Sequence, residues 1–223
     1  MNEIKEQLNT KRIMNLNQLY DAILNGRLEE GIASTTAALE EGAEPQVIIN
    51  DYMVKAMEEI GARFEAGTAF VPNLLMSARA MKGVLNLLKP RLASQTVATS
   101  GTVVIGTVKG DLHDIGKNLV ASMLEGCGFE VVNLGVDVSS EQFVAAAREH
   151  HADIVCMSAL LTTTMNYMRE VTAAIQASDL LPKPRIMVGG APLTEAFARE
   201  IGADGYSSNA NGAVILARRL VNA

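Results

Sequence analysis

The residues of this chain best placed to do chemistry lie in one loop: Lys109-Gly110-Asp111-Leu112-His113-Asp114-Ile115-Gly116-Lys117-Asn118. It holds a histidine between two carboxylates, two glycines and two lysines. A Walker A phosphate loop needs four residues between its glycine and its Gly-Lys, then Ser or Thr for the metal. Here five residues separate Gly110 from Gly116, and Asn118 follows the lysine, so that chemistry is excluded. No Gly-x-Gly-x-x-Gly opens the segment either, which excludes a dinucleotide fingerprint. Two readings stay open. In one, Asp111 or Asp114 caps a helix that starts here, its carboxylate accepting from free backbone N–H groups, and His113 is an ordinary loop residue. In the other, His113 ligates a metal. A protein-only zinc site needs three or four side-chain ligands. His150 and His151 sit side by side at a helix end and read as a solvated terminus, while Cys127 and Cys156 read as packing residues. One imidazole suffices only when a macrocycle supplies the remaining ligands. A metal-bound imidazole usually donates its second N–H to a carboxylate or carbonyl, and Asp111 stands two residues away.

The elements that position this loop follow from periodicity. Residues 1–92 show helical spacing only. Residues 15–25 are apolar at Leu16, Leu19, Tyr20, Ile23 and Leu24, and residues 28–41 repeat the pattern up to Gly42. Pro45 suits the first turn of a third helix, reaching Phe64, and Pro72 that of a fourth, closing before Pro90. Four amphipathic helices with short links predict a bundle. Within it Met53, Met57, Met76 and Met81 read as core. Residues 93–100, ASQTVATS, read as a linker. From Thr102 the pattern changes. Short β-branched runs at 102–108, 130–133, 154–158, 185–188 and, more weakly, 204–207 alternate with helical stretches at 115–127, 140–150, 163–177, 194–201 and 209–221. That alternation predicts a parallel five-stranded sheet with helices on both faces over residues 101–223. The Asp111–His113 loop then leaves the carboxyl end of the first strand, where ligands of open α/β sheets dock.

Three separated elements now carry a resemblance. Asp111-x-His113-x-x-Gly116, then Ser158-x-Leu160, then Gly189-Gly190, with 41 residues between the first two and 28 between the last two, resembles the signature of base-off, histidine-on cobalamin-binding domains. The helical front half is similar to the cap domain of the same proteins. The chain is similar to the stand-alone corrinoid proteins of methyltransferase systems and to the corresponding module of cobalamin-dependent methionine synthase. The resemblance implies a Rossmann-like or flavodoxin-like cobalamin domain behind a helical cap. It implies that His113 is the lower axial ligand of cobalt, that Asp111 accepts the ring's other N–H, and that a hydroxyl at Thr164, where relatives tend to carry serine, completes the relay. Gly116, Ser158, Leu160, Thr162, Gly189 and Gly190 are implied to contact the cofactor, chiefly its nucleotide tail. Without the resemblance, Ser158 is a turn residue and the two glycines mark a turn at positive φ. Phe64 and Val71, flanking Glu65-Ala66-Gly67-Thr68-Ala69-Phe70, are implied to cover the upper cobalt face. The implied function is a methyl carrier: cob(I)alamin takes a methyl group from a donor-specific methyltransferase, and methyl-Co(III) passes it to a second, acceptor methyltransferase. A reductive activase is a further implied partner, and the linker is the implied hinge of a moving cap.

Composition sets the outer limits. The chain has 223 residues, net charge −6 and a sequence pI near 5.2. An acidic balance argues against nucleic acid as a partner. No apolar run approaches the roughly 18 residues of a membrane span, and residues 1–12 do not read as a signal peptide. Two cysteines cannot build a disulfide framework, so a cytoplasmic protein is expected. With no tryptophan and 4% aromatic residues, the core must be aliphatic and methionine-rich. The length excludes a whole methionine synthase and leaves no barrel for a mutase. The alternative from another class is a cobalamin-binding sensor, although no basic helix-turn-helix is visible as an output.

Overall fold

The computed structural model describes residues 2–92 and 100–222. The chain divides into two compact units, residues 1–98 and 99–223. Of the expected linker, residues 93–99 lie outside the described residues.

The first unit is all helix: α1 (Asn2–Leu24), α2 (Leu28–Glu40), α3 (Pro45–Val47), a π-helical segment (Ile48–Met53), α4 (Val54–Glu65) and α5 (Val71–Leu92). Helix α1 packs on α2 and α4, and α5 packs on both of these. Leu19, Ile23, Ile48, Met53, Leu74, Met81 and Leu88 are fully buried between them, each contributing about 1.5–3 kcal/mol by leaving water. The third helix is not uniform, as its periodicity had suggested. A π turn aligns residues five apart, and Ile48 and Met53, five apart, are both fully buried. Helix α5 does not close before Pro90 but runs through it to Leu92. Proline removes one intrahelical donor, and so close to the helix end few bonds depend on it. Met53, Met57 and Met81 are core, whereas Met76 is half exposed.

The second unit is a five-stranded parallel sheet of β1 (Thr102–Thr107), β2 (Glu130–Asn133), β3 (Ile154–Ser158), β4 (Arg185–Gly189) and β5 (Gly205–Ser207), in the order β2-β1-β3-β4-β5. Six helices connect and cover it: α6 (Ile115–Gly126), α7 (Ser140–Glu149), α8 (Thr162–Met165), α9 (Tyr167–Ala177), α10 (Glu195–Glu200) and α11 (Ala210–Val221). Helices α7 and α9 pack together over one face, and α6 and α11 over the other. Val104, Val155, Met157, Ile186 and Val188 meet Phe143, Val171 and Ile175 in one apolar core. Buried on both faces, the central strands read as continuous apolar runs. The helix expected over 163–177 is broken into α8 and α9 at Asn166. Strand order reverses between β1 and β3, and the crevice beyond their carboxyl ends is where this architecture binds ligands.

Candidate functional site

Two loops meet at that crevice: residues 108–114 after β1 and residues 159–161 after β3. Asp111 sits between them, fully buried. Its Oδ1 accepts from the His113 backbone N–H at 3.0 Å and lies 2.7 Å from His113 Nδ1. Its Oδ2 accepts from the Thr164 hydroxyl at 2.7 Å, the Leu160 N–H at 2.8 Å and the Leu161 N–H at 3.3 Å. Burial pushes the Asp111 pKa up. The bonds from Thr164, the His113 and Leu160 N–H groups and the His113 ring outweigh burial and hold the carboxyl well below the usual carboxylate range. Asp111 is therefore an anion and can only accept. His113 Nδ1 must carry a hydrogen, so in the neutral ring Nε2 holds the lone pair that can bind an electrophile or a metal. About half of the His113 side chain is exposed. The arrangement is an imidazole held on its Nδ1 side by a buried carboxylate and half open to solvent.

The backbone around this pair is fixed by further bonds. The Thr107 hydroxyl, itself buried, donates to the His113 carbonyl at 3.0 Å. The Gly110 N–H donates to Asp137 Oδ1 at 2.7 Å, and the Asp137 N–H to the Asp111 carbonyl at 3.1 Å. Gly110 turns the chain at φ +83°, a region closed to most side chains. The capping reading fails here. Asp114 stands at the N-cap position of α6 without a side-chain bond to its amides, and takes the Asn118 side-chain N–H at 2.8 Å instead. Asp111 serves His113 and the second loop, not the helix.

The remaining expected residues fall into place unevenly. Thr107, Ser158, Gly189 and Ser207 are aligned partners across β1, β3, β4 and β5 and form a row of small residues at the carboxyl edge. Thr107 and Ser207 carry no motif and were not expected. Gly190, at φ +142°, is demanded from within the chain, since a Cβ there would lie 1.8 Å from the Ala159 carbonyl oxygen. Gly189 has no positive φ, so the expected turn geometry belongs to Gly190 alone. Leu160 contributes its backbone N–H to Asp111 while its side chain is exposed. Thr162 opens α8, exposed; the hydroxyl that reaches Asp111 is that of Thr164. Phe64 and Val71 belong to the other unit, Phe64 half-buried near the end of α4 and Val71 exposed at the start of α5, next to the more exposed Phe70. His150 and His151 are exposed at the end of α7. Cys127 and Cys156 are buried, and burial pushes the Cys156 thiol up to about 12. Among the described residues no group of three or more His, Cys, Asp or Glu could hold a metal ion by itself.

Two observations test whether a flat macrocycle fits above His113. Leu112, Leu160 and Leu161 on the two loops flanking the imidazole, and Ile115 at the start of α6, are all exposed. An apolar cluster open to solvent marks a binding surface. Gly116 lies in the first turn of α6, and a Cβ there would meet no atom within 4 Å. Glycine inside a helix costs about 0.5–1 kcal/mol relative to alanine, and nothing within the chain requires it, so the space it leaves suits a group from outside. The residues present fit a corrinoid bound through His113.

Comparison with known proteins points to the same class of cofactor. Residues 101–215 match the family model described as B12 binding domain, and residues 16–89 match a second model of the same description. The chain is 40% identical over 207 residues to dimethylamine corrinoid protein 2 of Methanosarcina acetivorans, covering 92% of this chain and 95% of that protein. It is similar to a cobalamin-binding protein from Desulfitobacterium hafniense DCB-2, with TM-score 0.78, 30% identity and coverage of 92% and 98%. It is also similar to the methanol:cobalamin methyltransferase complex MtaBC from Methanosarcina barkeri, with TM-score 0.80, 30% identity and coverage of 94% and 80%. Among the described residues no helix is long and apolar enough to cross a membrane. The B12-binding signature stands on a parallel sheet of the expected kind, and two family models together span most of the sequence: this chain belongs to the cobalamin-binding corrinoid proteins of methyltransferase systems.

Proposed function

We propose that this protein is the methyl-carrying subunit of such a system, with His113 as the lower axial ligand of its cobalamin. The observation that carries the reading is the Thr164–Asp111–His113 relay, which fixes the tautomer and leaves Nε2 facing outward. When bound, cobalamin supplies a cobalt centre able to accept and release a methyl group. The chain's own residues do the rest. Asp111 would hold the imidazole against rotation and offset positive charge on the ring. Thr164 would help keep Asp111 ionised, and the relay can take a proton at Nε2 when that atom is not ligating. Leu112, Ile115, Leu160 and Leu161 exclude water beneath the macrocycle. Gly116, Ser158, Gly189 and Gly190 border the path proposed for the nucleotide tail, and Phe64 and Val71 are proposed to shield the opposite face.

The proposed partners are a donor-specific methyltransferase, an acceptor methyltransferase and a reductive activase, in a cytoplasmic setting. The relatives described above are corrinoid proteins and a methyltransferase complex, which does not favour the sensor alternative. Titrating the purified protein with hydroxocobalamin tests the reading. One equivalent should bind and survive gel filtration, and a protein that remains colourless would refute it. A second expectation concerns Gly116→Ala. The apo-protein should gain about 0.5–1 kcal/mol in urea denaturation, while cobalamin affinity falls roughly tenfold because the new methyl enters the cofactor's space. Unchanged affinity would remove Gly116 from the site.

A further inference from the structure

Lys117 breaks three rules at once. It is a lysine only 3% exposed, and burying an ammonium is costly unless it is paired. It sits in the first turn of α6, where the helix dipole disfavours a cation. Its described acceptors are neutral: Asn133 Oδ1 at 2.6 Å and Asn118 Oδ1 at 2.8 Å. Burial pushes its pKa down, with the Asp114 carboxylate opposing. Leucine or methionine would pack there at less cost, so the charge serves something other than stability.

What it does is visible in the bonds around it. An ammonium only donates, so it compels both amides to turn their oxygens inward. Asn133 Oδ1, so oriented, also accepts the Gly135 N–H at 3.1 Å, and its Nδ2 donates to Asn118 Oδ1 at 3.0 Å. Asn118 must then point its own Nδ2 outward, where it donates to Asp114 Oδ2 at 2.8 Å. Gly135 in turn accepts the Thr107 N–H at 3.0 Å, and Thr107 donates its hydroxyl to the His113 carbonyl. The His113 carbonyl is thus held by Thr107 and the Asp114 carboxylate by Asn118, and one buried cation sets which way the Asn118 and Asn133 amides of this network face.

We propose that Lys117 is a positioning residue for His113: through Asn118 and Asn133 it keeps the 113–114 turn in one conformation while the imidazole leaves and rejoins its metal. This rests on the cobalamin reading above, and the two are separable by experiment. Hydrogen exchange of the apo-protein and the visible spectrum of the cobalamin-loaded full chain at one pH should be compared between wild type and Lys117→Met. In the variant, amides of residues 112–116 should exchange about tenfold faster, as expected on losing one or two charge-assisted bonds, with the β3 amides unchanged. The ratio of histidine-bound to histidine-free spectrum should fall by about threefold or more. Acceleration spread equally over loop and strand, or an unaltered spectral ratio, overturns the proposal. Should Lys117→Met fail to fold, Asn133→Ala at the exposed end of β2 removes the same clasp and is held to the same two readouts. If the wild type takes up no cobalamin, the cofactor reading has failed, and loop exchange alone then decides the positioning claim.

Discussion

Asp111→Ala should destabilise the second unit by about 3–5 kcal/mol in urea denaturation, the range for removing one partner of a buried charged cluster. Four donors besides the imidazole converge on this carboxylate: the hydroxyl of Thr164 and the amides of His113, Leu160 and Leu161. Deletion leaves the three amides without that acceptor in a place water reaches poorly, while the Thr164 hydroxyl still has the Leu161 carbonyl at 3.0 Å. Asp111→Asn keeps the shape but places an NH₂ group against N–H donors, so a smaller loss of about 1–3 kcal/mol is expected. The sign of the pH dependence follows from the depressed pKa of the folded state. A carboxyl that binds protons less readily folded than unfolded contributes stability that is fully present above the unfolded value, about 3.9. That contribution drains away as pH falls below it toward the folded value. The stability gap between wild type and Asp111→Asn should therefore be constant near neutrality and narrow below about pH 4. A gap that widens with acid would mean the carboxylate is not held ionised by its partners.

How far this site was legible depended on what side chains announce. Asp111 and His113 are two residues apart in sequence and joined by a tight turn, so their pairing could be expected from spacing. Thr164 lies 53 residues from Asp111, yet the motif offset named it, and its hydroxyl does reach Oδ2. The strand–helix alternation was readable because a sheet covered on both faces demands unbroken apolar runs. What stayed hidden was carried by groups without a signature. The Leu160 and Leu161 amides look like those of any residue, and only the bend after β3 aims them at Asp111. Thr107 passes for a strand residue and Asp137 for a loop acid until register brings them beside the His113 turn. Lys117 was invisible for the opposite reason: lysine is ordinarily a surface residue, and its burial is a tertiary fact. Gly190 was expected at the cofactor, and the Ala159 carbonyl supplies a second demand for glycine there that only the folded chain reveals. Phe70 was passed over because position in the family-like segment named Phe64 and Val71, and only the structure shows that it is more exposed than either.

His113→Ala should separate binding from ligation. Affinity for cobalamin should drop by about tenfold, since one coordinate bond is lost while the apolar surface of Leu112, Ile115, Leu160 and Leu161 and the small-residue row at the strand ends remain. The spectrum should be that of histidine-free cobalamin at every pH, and methyl delivery in the presence of both partner enzymes should fall by about a hundredfold. Removing the ring leaves Asp111 Oδ1 beside a gap of about the size of an imidazole. Added imidazole should enter it, donate to Asp111 and restore the histidine-bound band, as free imidazole offers the same two nitrogens in the same relation. Rescue should be absent in the double variant His113→Ala/Asp111→Asn, where no carboxylate orients the added ring. If His113→Ala kept the wild-type spectrum, the ligand would lie elsewhere, and the buried carboxylate would reduce to a loop fastener. If imidazole restored the band equally with and without Asp111, the relay would contribute nothing to ligation. The two variants therefore read separate links, the imidazole as ligand and the carboxylate as its orienting support.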